Sequence, residues 1–137
     1  VIKEISQQKL SLIPVVGKQM KYLGVVTLTD LIHELSHYNA VNQPGGIIVL
    51  QINEHDYSLS EMAKIVESND AIILSSYLYS LPNSTSMEVT LKVNKMDISP
   101  ILQTFERYGY QIKTSIFETH DEEMDERFEG LMRFLNI

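Results

Sequence analysis

Between Gly46 and Phe117 the spacing of apolar residues switches between the two-residue period of a strand and the 3.6-residue period of a helix, and this alternation admits few architectures. Ile47–Ile52 is a continuous apolar run broken only by Gln51, which predicts a buried strand. A polar loop, Asn53-Glu54-His55-Asp56-Tyr57, leads into Ser58-Leu59-Ser60-Glu61. That is a capping-box pattern: the Ser58 hydroxyl is placed to accept the N3 amide while Glu61 reaches back to the Ser58 amide. Leu59, Met62, Ala63, Ile65 and Val66 then form the apolar stripe of a helix that packs on a sheet, and Asn69-Asp70 ends it. Ala71–Leu81 is rich in strand formers, and Pro82-Asn83-Ser84-Thr85-Ser86 is a turn. Met87–Val93 alternates, with Met87, Val89, Leu91 and Val93 on one face. Asp97 is the expected N-cap of a helix carrying Ile98, Ile101, Leu102, Phe105 and Tyr108, with Pro100 tolerated in the first turn. Gly109 is suited to close that helix, and Gln111–Phe117 is the last strand. The order is β-α-β-β-α-β, which predicts an α+β sandwich: a four-stranded antiparallel sheet with both helices on one face.

Two further segments flank this one. Residues 1–42 precede a break signal, Asn42-Gln43-Pro44-Gly45-Gly46. Within them Leu12–Val16 and Tyr22–Val26 read as a strand hairpin, followed by a helix through Leu31, Ile32, Leu35 and Tyr38. Residues 119–137 are expected to form a C-terminal helix. Asp121, Glu122, Glu123, Asp125 and Glu126 favour the positive end of its dipole, and Met124, Phe128, Leu131 and Leu135 form an apolar seam. Gly130 weakens that helix by roughly 1 kcal/mol relative to Ala, so it needs a packing partner. The expected domains are thus 1–42, 46–118 and 119–137.

Ile13-Pro14-Val15-Val16, followed by Tyr22-Leu23-Gly24-Val25-Val26-Thr27-Leu28-Thr29-Asp30-Leu31, resembles the second half of a CBS (cystathionine β-synthase) repeat. That family reads apolar-Pro-Val, a short turn, then Gly-x-x-Thr-x-x-Asp opening a helix. The resemblance implies an adenosine-nucleotide effector, with Thr27 touching ribose or phosphate and Asp30 the ribose hydroxyls. A carboxylate can accept from two vicinal hydroxyls, and a helix N-terminus favours phosphate. Thr27-x-x-Asp30 is equally a capping-box pattern in its own right. Only Val1–Ser11 precede the apolar-Pro-Val run, room for the tail of the preceding helix, and a complete nucleotide site normally uses a paired repeat.

His33-Glu34-Leu35-Ser36-His37 is a literal H-E-x-x-H. On a helix His33 and His37 share a face and suit zinc, with Glu34 as general base. A catalytic zinc needs a third protein ligand, and His55, Glu61 and His120 stand in no recognised spacing. The plainer reading is a pair of partly exposed helix histidines, so no metal is expected; His33 and His37 are the alternative.

The β-α-β-β-α-β segment resembles an ACT domain, a small regulatory module of amino-acid metabolism. The resemblance implies a ferredoxin-like sandwich, side-by-side pairing in a homodimer, and an effector loop between the first strand and first helix. Here that loop is Asn53–Ser58, without the Pro-Gly turn usual in the family. Asn53, Asp56 and the helix amides after Ser58 are the candidate effector-binding groups for an ammonium and a carboxylate; the alternative is that they are ordinary loop residues. Tyr77, Tyr79, Tyr108 and Tyr110 form an aromatic set that reads as a contact surface rather than a cofactor site.

Composition narrows the function. An apolar content of 44% and a charged content of 21% are those of a globular chain. There are no cysteines, which removes disulfides, thiolate metal sites and thiol nucleophiles and fits a reducing, cytoplasmic setting. The formal charge of −7 disfavours a nucleic-acid backbone as partner. No stretch approaches the roughly 18 apolar residues of a membrane span. The chain opens at Val1 with a mixed polar sequence, which fits a piece of a longer or processed protein rather than a signal peptide. The expectation is a non-catalytic, cofactor-free regulatory module that acts as a homodimer and binds a small-molecule effector, an amino acid or an adenosine nucleotide. No nucleic-acid or membrane partner is expected. A zinc-dependent hydrolase and a ligand-free dimerisation scaffold are the alternatives.

Overall fold

The computed structural model describes residues 1–116 together with Met132, Arg133 and Leu135. Those three are helical; the rest of the expected C-terminal helix, its acidic run and His120 lie outside the described residues. The chain forms two compact units, Val1–Asn42 and the residues from Gln43 onward, and is mixed α+β with two antiparallel sheets.

The first unit contains α1 (Ile2–Gln8), β1 (Leu12–Val16), β2 (Tyr22–Thr27), α2 (Leu28–Leu35) and α3 (Asn39–Asn42). β1 and β2 pair antiparallel from Leu12 opposite Thr27 to Val16 opposite Tyr22. The turn between them is tight, because Gln19 and Met20 both take left-handed backbone angles. α2 is shorter than the apolar spacing suggests: it stops at Leu35, so His37 and Tyr38 lie beyond it. Ser36 ends it chemically. Its hydroxyl donates back to the His33 carbonyl (2.6 Å), and its own carbonyl is taken by the Asn42 side-chain amide (2.7 Å). These are the orphan acceptors that a helix must satisfy where it stops. Among the described residues of this unit Ile5 alone is buried.

The second unit contains β3 (Ile47–Asn53), α4 (Leu59–Glu67), β4 (Ile73–Ser80), β5 (Ser86–Val93), α5 (Ser99–Arg107) and β6 (Gln111–Ile116). Its sheet runs β4-β5-β3-β6 with every neighbouring pair antiparallel. The predicted alternation is what buries the core. Ile48 and Leu50 of β3 stand opposite Leu91 and Val89 of β5, all fully buried. Met62, Ile65 and Val66 from α4 and Ile98, Ile101 and Phe105 from the α5 region complete the same core, so both helices cover one face of the sheet. The helices are also joined by a polar contact: the Asn69 amide donates to Thr104 Oγ1 (3.2 Å), whose hydroxyl donates to the Pro100 carbonyl (2.8 Å). On the opposite face Ser75, Tyr77 and Tyr79 of β4 stand across from Lys92, Thr90 and Glu88 of β5.

The Gly45-Gly46 pair is more than a break. A Cβ at Gly45 would sit 1.8 Å from the Val93 carbonyl oxygen, and one at Gly46 would sit 2.5 Å from Ile98 Cγ2. The chain enters β3 in close backbone contact with the end of β5, where Gly46 and Val93 exchange a hydrogen bond (2.9 Å). Two helix starts differ from expectation. Ile98, not Asp97, occupies the N-cap position of α5, and Asp97 supports it from one residue earlier by accepting the Ser99 amide (3.0 Å). At α4 half of the capping box is formed: the Ser58 hydroxyl accepts the Glu61 amide (3.3 Å), while the Glu61 carboxylate faces Tyr110.

Candidate functional site

A cleft of about 560 Å³ opens in the second unit where the end of β3 meets the start of β6. Gln51, Ile52, Asn53, Asp56, Glu61 and the run Tyr108-Gly109-Tyr110-Gln111 line it. The register explains the meeting: Gln51 pairs with Gln111, so the loop after β3 and the loop before β6 lie at the same end of the sheet. Each wall is held by its own bonds. Asn53 caps the short turn Glu54–Asp56 by accepting the His55 amide on Oδ1 (3.2 Å), and its Nδ2 donates to Thr85 Oγ1 (3.3 Å). The Glu54 amide donates to the Thr85 carbonyl (2.9 Å), tying the loop to the β4–β5 turn.

On the other wall α5 ends at Arg107 and Gly109 takes a left-handed angle (φ +83°) that reverses the chain. The Tyr110 amide donates to the Phe105 carbonyl (3.0 Å), and the Tyr110 ring meets Phe105 edge-on, with centroids 5.3 Å apart. One ring thus faces the cleft and touches the core. Burial pushes the Tyr110 phenol up to about 12; the carboxylates of Glu61 and then Asp56 push in the same direction. Among the described residues, the only charged side chains lining the cleft are these two carboxylates.

Of the residues expected to bind an effector, Asn53 and Asp56 line this cleft. Ser58 does not; its hydroxyl caps α4. Glu61, Tyr108, Tyr110 and Gln111 were not marked as effector residues by the sequence; as site candidates, Glu61 entered only as a third zinc ligand and the two tyrosines as part of a contact surface. The aromatic set read there as one surface is divided: Tyr77 and Tyr79 lie on β4 and Tyr108 and Tyr110 beside β6, the two opposite edges of the sheet. The available signal was a glycine flanked by two tyrosines at a helix end, which reads first as a simple C-cap.

Thr27 and Asp30 are brought together, but by each other. Asp30 Oδ2 accepts from the Thr27 amide (2.9 Å) and hydroxyl (2.7 Å), and the Thr27 hydroxyl accepts from the Asp30 amide (3.0 Å). This is a complete capping box at the start of α2. The Thr27 hydroxyl, then the Thr27 amide, hold the Asp30 carboxyl below the usual carboxylate value. His33 and His37 approach with ring centroids 4.7 Å apart, and His37 Nδ1 is bonded to the His33 carbonyl (2.8 Å). Among the described residues no three His, Cys, Asp or Glu side chains are placed to share a metal ion. No helix among them is long and apolar enough to cross a membrane.

Residues 1–37 match the family model for the CBS domain, a span that takes in α1, the β1–β2 hairpin and α2 with the Thr27–Asp30 cap. CBS domains are regulatory, ligand-sensing modules, and the N-terminal unit of this chain carries a partial one.

Proposed function

We propose that this chain is a non-catalytic, effector-sensing regulatory module. Its partial CBS domain is followed by an ACT-like domain of ferredoxin-like topology, which forms homodimers and takes a small molecule of the amino-acid class in the cleft beside the β3–α4 loop. The strand order β4-β5-β3-β6, with both helices on one face, supports the topology. The observation that carries the functional reading is the position of the cleft. It opens beside Asn53 and Asp56, in the loop where the ACT resemblance implies an effector.

Adenosine nucleotides, the effector class of many CBS domains, have less support here. Thr27 and Asp30 already satisfy each other in the capping box, and both residues serve α2. A module of this kind works by differential binding: a ligand that binds only the folded form stabilises it with the logarithm of its concentration. The test is a thermal-shift screen of the full chain with free amino acids and adenosine nucleotides, repeated on Asp56→Ala and Asp30→Ala. A concentration-dependent rise with an amino acid, abolished by Asp56→Ala, is the expected result. A rise with nucleotide alone, abolished by Asp30→Ala, moves the effector to the CBS segment, and a flat screen overturns the sensing role. Sedimentation of the same samples checks the dimer.

A further inference from the structure

If the cleft is the effector site, as proposed above, its lining selects the class of ligand it takes. Its hydrogen-bonding inventory is lopsided. Asp56 and Glu61 are acceptors, one from the turn after β3 and the other from the first turn of α4. Among the described residues, no lysine, arginine or histidine lines the wall. Two of the lining amides are committed elsewhere. Gln51 Nε2 donates to Ser86 Oγ (3.2 Å) and Asn53 Nδ2 to Thr85 Oγ1 (3.3 Å). Lys113, the basic residue of β6, is paired with Glu88 on β5. The Tyr110 hydroxyl lies against Glu61. The charge that the described residues bring to the cleft is therefore all negative, with two phenol rings and Ile52 to cover an alkyl chain.

We propose that this cleft takes an organic cation, an ammonium or guanidinium on a short alkyl chain, as carried by a basic amino acid or a diamine. Carboxylates and the faces of tyrosine rings both attract such a group. A neutral amino acid brings no net positive charge to Asp56 and Glu61, and an acidic one brings net negative charge, which like-charge repulsion at close range disfavours. The basic group of the ligand supplies the positive charge that the wall lacks.

The test is calorimetric titration of the full chain with L-lysine, L-arginine, 1,5-diaminopentane, L-leucine and L-glutamate. Binding of one or more of the three cations, with leucine and glutamate silent and affinity falling as salt is added, is expected. Glu61→Gln and Asp56→Asn should each weaken that binding by about tenfold or more, the loss of one charged hydrogen-bond partner. Both variants keep side-chain size, and their unfolding midpoints are measured alongside, so a variant that folds poorly leaves the other to decide. Cation binding unchanged in both variants overturns the assignment to this cleft. Leucine or glutamate binding as tightly as the cations, and lost in the variants, overturns the charge selection while leaving the effector site standing. No heat from any of the five overturns both.

Discussion

The Asp30 carboxylate accepts two bonds from a single residue, and their effect on it gives a direct pH prediction. Its folded value lies below the ordinary one, so its contribution to α2 is fully present above the unfolded value and fades as pH falls through the folded value. Helicity of the first unit should therefore decline at the acid end, and Asp30→Asn should show less of that decline by circular dichroism. Thr27→Ala removes the other half of the box and should cost about 1 kcal/mol of α2 stability at neutral pH. Tyr110 gives the opposite sign. With the folded phenol raised to about 12, its neutral form is favoured by folding, so stability is unaffected below the unfolded value and falls as pH rises from there toward 12. In the tyrosinate absorbance titration, Tyr110→Phe should remove a late step at about that pH. The cap at Thr27–Asp30 was legible in sequence because both partners lie within one turn. The setting of Tyr110 was not, since its neighbour Glu61 is local only in space.

At the scale of elements, what could be read was what periodicity controls. The alternation of Met87, Val89, Leu91 and Val93 and the helical spacing of Ile98, Ile101 and Phe105 describe the buried face of the second unit, because burial acts on every second or every third-to-fourth residue. Helix ends were read less well. They depend on single side-chain bonds such as Ser36 to His33, and either a stop or one more turn fits the same apolar spacing. Two substitutions test how the elements are locked together. Phe105→Ala empties a fully buried position between α5 and the sheet and should cost about 3–5 kcal/mol, measured by urea unfolding. Gly45→Ala places a Cβ against a backbone oxygen that cannot rotate away, and it should lower stability by about 1–3 kcal/mol even though no side chain is lost. Equal stability of Gly45→Ala and the parent would show that the chain enters β3 by a looser path.

Across the whole chain, the two units differ in how much apolar surface each hides. The second has a continuous core from six elements, whereas the first buries Ile5 and leaves Leu12, Val16, Leu23, Val25, Ile32 and Leu35 exposed among its described residues. So few residues rarely sustain a fold without such a core. Residues 43–137 expressed alone should retain a cooperative thermal transition, while residues 1–42 alone should show none by calorimetry. Turn formers cluster in Asn42-Gln43-Pro44-Gly45-Gly46, where the first compact unit ends. The cleft was not legible in the sequence, because it forms only once the pairing of Gln51 with Gln111 brings distant loops to one end of the sheet. The edge-on contact of Tyr110 with Phe105 also bears on time. Each ring turning over sweeps the space beside the other, so the flip rates of the two aromatics are expected to be coupled. A molecule resting on Tyr110 should therefore alter the aromatic NMR line shapes of Phe105, a residue outside the cleft lining.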